Sequence, residues 1–113
     1  MIINGKEFDF DVADADCMER YEEALQEMQE SSQNMQRVAS NAEMLRKTCQ
    51  LVHDFFDKVL GENAANTLFD GKMNFRVCFQ VYEEFVNACT EECQELTNAL
   101  SKYSSNRAQR RAK

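Results

Sequence analysis

The chain has 113 residues, enough for one domain with one core. Twenty Asp and Glu outnumber thirteen Lys and Arg, a net charge of −7, which weighs against a folded surface built for general nucleic-acid binding. Proline and tryptophan are absent and glycine stands only at Gly5, Gly61 and Gly71, so turns are few and long helices of Met, Glu, Gln, Leu and Ala are expected.

The sequence opens on its only β signal. Asn4-Gly5 is a dipeptide favoured in type I′ hairpin turns. After it, residues 7–12 alternate, with Phe8, Phe10 and Val12 on one face and acids on the other, while Ile2 and Ile3 supply a short partner strand. Two strands alone are not stable, so the phenylalanine face is expected to lie on helices, the C-terminal one above all.

Asp14 or Asp16 caps a first helix over about 15–31, in which Met18, Tyr21, Leu25 and Met28 share a face. The apolar spacing continues far enough to permit one helix from 14 to 60, but that rod would be about 70 Å long, too long for a compact domain. The polar stretch Ser31-Ser32-Gln33-Asn34 and the capping box Ser40-Asn41-Ala42-Glu43 favour a break and a second helix over 41–60. Gly61 ends it. One or two helical turns fit 62–69, stopped by Asp70-Gly71, and Asn74 caps a long helix over about 75–101. Its stripe runs through Phe75, Cys78, Tyr82, Phe85, Cys89, Cys93, Leu96 and Leu100, flanked by Phe79, Val81 and Val86. The fold class is therefore mainly α: an N-terminal β-hairpin packed on three long helices and one short one, forming a single domain over 1–101.

Residues 102–113 differ in character. They hold five basic side chains and no acid, whereas the preceding body has a charge of −12. With no large apolar residue after Tyr103, the segment has little to bury and reads as a flexible arm. Arg107, Arg110 and Arg111 share a side if the arm is helical, and with Lys113 they are the candidate partner-binding residues. Five charges alone give only weak, salt-sensitive nucleic-acid binding.

Chemical sites are poorly represented. Asp9, Asp11, Asp14 and Asp16 alternate like calcium ligands, but a calcium loop needs a further oxygen where Ala13 or Met18 stands, and a glycine that is missing. Cys49 and His53, with Cys89 and Cys93, have the composition of a Cys₃His zinc site without CxxC knuckles, and sit where apolar seams run. Cys49 and His53 with Asp54 or Asp57 offer a nucleophile and base, but no glycine-rich loop supplies an oxyanion hole. The expectation is no enzyme, no cofactor and no metal, with five reduced, mostly buried cysteines. No run is apolar enough to span a membrane and no signal-peptide layout opens the chain, so a soluble intracellular protein is expected.

Three segments carry a resemblance: IINGKEFDFDVADADCMERYEEAL, FFDKVLGENAANTLFDGKMNFRVCFQVYEEFV and YSSNRAQRRAK. They resemble small tail-morphogenesis proteins of tailed phages and prophages of Gram-positive bacteria, and look like tail assembly chaperones. The resemblance implies a non-enzymatic helical protein in the cytoplasm of the host bacterium. It would bind the tape measure protein and tail-tube subunits during assembly, with self-association possible and no membrane partner. Two alternatives stand beside it: an acidic inhibitor of a host defence or nucleic-acid enzyme, and a structural tail component.

Overall fold

The computed structural model describes the backbone of residues 1–35 and 40–111, and side chains as far as Tyr103. Strands β1 (Ile2–Ile3) and β2 (Lys6–Glu7) pair antiparallel, Ile2 opposite Glu7 and Ile3 opposite Lys6. Asn4 and Gly5 take φ of 52° and 76°, the double left-handed geometry of the expected type I′ turn. The strand predicted to run to Val12 is regular only to Glu7, although pairing goes one residue further: Phe8 N–H donates to Met1 O and the Met1 ammonium to Phe8 O, both at 2.8 Å. Beyond it, Phe10 N–H donates to Phe8 O at 3.0 Å and the chain bends, yet the alternation survives: Phe10 and Val12 are buried and Phe8 is half-buried.

Helix α1 spans Ala15–Gln33 and is capped by Asp14, whose carboxylate accepts from Asp16 N–H. Helix α2 spans Asn41–Leu60, with Ser40 Oγ accepting from Glu43 N–H as the capping box requires. Lys58 on α2 pairs with Glu27 and, at 3.9 Å, with Glu23 on α1, so the two helices lie antiparallel and are not one rod. Gly61 stops α2 with φ 110° and ψ 167°, a region open to glycine almost alone.

The short helix α3 (Ala64–Phe69) has no side-chain cap of its own. Asp57 of α2 substitutes, accepting from Ala65 N–H at 2.9 Å. Asn4 in the hairpin turn donates to Leu68 O at 2.9 Å, fixing the hairpin to the other end of α3. Asn74 Oδ1 then accepts from Arg76 and Val77 N–H and opens α4, Phe75–Arg111.

The core is a lattice of rings. Phe85 stands at its centre, with centroids 5.3 Å from Phe10, 5.7 Å from Tyr21, 6.0 Å from Phe55 and 5.4 Å from Phe56. Most of these contacts are edge to face, the arrangement favoured by the ring quadrupole. Every element except β2 contributes a buried residue to the core cluster.

Helix α4 is longer than the body it packs on. Its expected end at 101 is passed and the helix continues to Arg111, making 37 residues, about 55 Å at 1.5 Å per residue. Cys78, Val81, Phe85 and Cys89 are buried, but the same stripe emerges into solvent at Leu96 and Leu100. The molecule measures 69 × 29 × 21 Å, a body with a helical stalk.

Candidate partner-binding surface

The N-terminal turns of α4 present an apolar surface. Met73, Phe75 and Phe79 are 39%, 37% and 41% exposed, although the sequence stripe placed Phe75 toward the core. Phe75 and Phe79 stand one helical turn apart and stack, centroids 5.5 Å apart and planes within 18°. Phe79 meets Tyr82 at 6.2 Å, and Tyr82 meets the buried Phe55 at 5.2 Å. The rings thus form a ladder from solvent into the core. Its inner rungs are fixed by packing, so the outer two are held on a firm base.

The buried polar residues are arranged for packing rather than reaction. His53 stacks on Phe69 with centroids 4.8 Å apart, and its Nε2 lies 3.6 Å from Cys78 Sγ. Burial, together with neighbouring Cys49, pushes the Cys78 thiol up to about 12. At neutral pH this thiol keeps its proton and is a poor nucleophile. The cysteine that meets His53 is therefore Cys78, which the four-residue spacing of Cys49 and His53 did not indicate.

Cys89 and Cys93 lie on the other side of the core, near Tyr21. Burial, then Glu92 and Cys93, raises the Cys89 thiol to about 12, and burial above all raises the Tyr21 hydroxyl. The two cysteine pairs considered for zinc do not converge, and no group of three His, Cys, Asp or Glu among the described residues is placed to hold a metal. All five cysteines are free, four buried and Cys93 half-buried.

Among the described residues, two of the clefts lie beside the α1–α2 contact and the root of the stalk. One, about 100 Å³, lies between α1 and α2, lined by Ala24, Met28, Leu51 and Phe55 and rimmed by the Lys58–Glu27 pair. The other, about 270 Å³, has Val12, Ala13 and Leu96 for an apolar floor, with Asp11, Glu92 and Glu95 around it. It sits where the stalk leaves the body.

Of the basic residues singled out from the sequence, the side chains of Arg107, Arg110 and Arg111, and all of Lys113, lie outside the described residues. The aromatic ladder was missed as a surface because Phe75 and Phe79 satisfy the apolar periodicity of a core helix. What separates them from the core is the face they occupy: Cys78, which lies between them in sequence, is buried against His53, while Phe75 and Phe79 stand at the edge of that stripe.

Among the described residues, no helix is long and apolar enough to cross a membrane. No curated protein and no solved structure matches the chain. A family profile matches residues 4–113, nearly the whole sequence, and the chain therefore belongs to DUF6673, a family of unknown function.

Proposed function

We propose that the protein is a non-enzymatic tail assembly chaperone of a phage or prophage, binding amphipathic helices of the tape measure protein in the host cytoplasm. The observation that carries this reading is the solvent-facing ladder of Phe75 and Phe79 beside Met73. An amphipathic helix is recognised by apolar side chains at i, i+3 and i+4, and rigid rings with an adaptable methionine suit that face. The net charge of −12 over residues 1–101 favours helices whose polar face is basic, although Lys72 and Arg76 flank the ladder itself. The likeness of the three sequence segments to tail-morphogenesis proteins supplies the identity of the helix. The absence of an activated nucleophile at the Cys78–His53 contact is compatible with a binding role.

The test is co-purification with a tape measure protein from the same phage or prophage. The wild-type chain should hold that protein in solution, and a Phe75→Ser, Phe79→Ser variant with an unchanged melting curve should not. Mass spectrometry of purified virions separates the classes further. A chaperone is absent from them, whereas stoichiometric amounts in the particles would make the protein a structural tail component.

A further inference from the structure

The aromatic ladder lies between opposite charges on one side of α4. Arg76 and Glu83 are seven residues apart, two turns of helix, and so point to nearly the same side, with Phe79 between them along the axis. Both are exposed, and among the described residues neither forms an ion pair. Glu84 stands about 100° further round the helix and accepts from Gln80 Nε2 at 3.2 Å, on the side away from the ladder.

Apolar residues run beside this pair of charges. Phe75 and Phe79 are exposed, and Val86, two turns beyond Phe79, is half-buried. Cys78 and Phe85 face the other way, into the core. The exposed side of this stretch therefore reads, in order, aromatic, base, aromatic, acid, aliphatic. Turned end for end about a point beside Phe79, the pattern falls on its own complement. Arg76 comes opposite Glu83, the two Phe79 rings come together, and Val86 comes opposite Phe75 and the exposed Met73.

We propose that this face is the contact surface of a weak homodimer, in which two α4 helices pack antiparallel about a two-fold axis beside Phe79 and Arg76 of each copy pairs with Glu83 of the other. A two-fold axis makes each pair occur twice, so one unpaired base and one unpaired acid are enough to set the orientation. A parallel arrangement would instead put Arg76 against Arg76 and Glu83 against Glu83. From Phe75 to Val86 the helix rises only about 17 Å, too short to reach the roughly 800 Å² per partner of a stable complex, so the dimer belongs with weak and transient ones. Such a dimer covers the ladder until a client helix displaces the second copy. The inference needs the exposed ladder but not the identity of its client. A monomer that holds the tape measure protein would sink the dimer alone, and a dimer that never holds it would sink the chaperone reading alone.

Sedimentation of the full chain at about 200 μM should show a dimer in about 0.15 M salt, where charges in contact still act on one another. Arg76→Glu and Glu83→Arg should each weaken self-association by about tenfold, because each change sets like charges together at both ends of the contact. Melting curves of both variants at low concentration should match wild type, since both side chains are exposed. An equal mixture of the two variants should dimerise at least as well as wild type, and the double variant carrying both changes should recover dimerisation by itself. A wild-type monomer at this concentration, single variants that dimerise as well as wild type, or a mixture no better than its components would each overturn the proposal.

Discussion

Phe10 packs edge to face on Phe85 with ring centroids 5.3 Å apart and planes at 61°, joining the segment after the hairpin to the centre of the helical core. Phe10 also meets Tyr21 on α1 at 6.4 Å, so its ring joins the direct contact of Tyr21 on Phe85 between α1 and α4. Phe10→Ala should therefore destabilise the protein by about 3–5 kcal/mol, the range for emptying a buried aromatic site. Chemical denaturation checks this: the midpoint should fall with little change in slope, and an unchanged midpoint would remove the hairpin segment from the core.

The cysteines should separate by burial. A maleimide added to the native protein is expected to modify Cys93 first, with Cys17, Cys49, Cys78 and Cys89 reacting only as the chain unfolds. Peptide mapping after brief labelling distinguishes the sites. Fast labelling of Cys78 would contradict its raised thiol pKa of about 12 and the packing described around His53.

The same shifts give stability a dependence on pH. Cys78 and Cys89 hold their protons to about 12 in the folded chain against 9.0 for an ordinary thiol, because burial disfavours the thiolate. Below pH 9 both states are protonated and the contribution is complete. Between pH 9 and 12 the unfolded chain releases protons that the folded chain keeps, so stability falls by up to about 1.4 kcal/mol per pH unit for each thiol. Denaturation at pH 8 and pH 10 should show the loss, and Cys89→Ala should reduce its slope.

Much of the fold could be read from the residues, and the failures have physical causes. Asn4-Gly5, Ser40 with Glu43, Gly61 and Asn74 marked turns and helix ends because each acts locally, through backbone conformation or through a hydrogen bond to a nearby N–H. The end of β2 and the exposure of Phe75 and Phe79 depend instead on what lies across from them, and spacing along one chain contains no such information. The pairing of His53 with Cys78 rather than with a zinc ligand set was hidden for the same reason: the contact spans α2 and α4. For the candidate surface, the sequence supplied the residue types, Met and Phe in surplus, while the structure supplied the place.

The outer rungs of the aromatic ladder should matter to binding more than to folding. Phe75 and Phe79 each keep more than a third of their surface exposed, so replacing either by serine should cost about 1 kcal/mol or less, far below a core phenylalanine. Phe85→Ser provides the contrast and should prevent folding at ordinary temperature, since Phe85 is 2% exposed and touches four other rings. If the Phe75 and Phe79 variants melted as early as the Phe85 variant, the ladder would be part of the core and not a surface for a partner.

The stalk's end should be separable from the body. Among the described residues, the last fully buried one of α4 is Cys89, so a deletion of residues 103–113 starts well beyond the described core. At a few micromolar chain the melting midpoint should stay within about 2 °C of wild type, since a change of that size in a domain this small is well under 1 kcal/mol. The same deletion takes four of the five bases that follow Ser101, and with them most of the attraction available to an acidic partner. In a phage carrying the truncated gene, electron microscopy should show fewer complete tails. Normal tails at normal yield would confine the assembly role proposed for the protein to the body and its aromatic ladder.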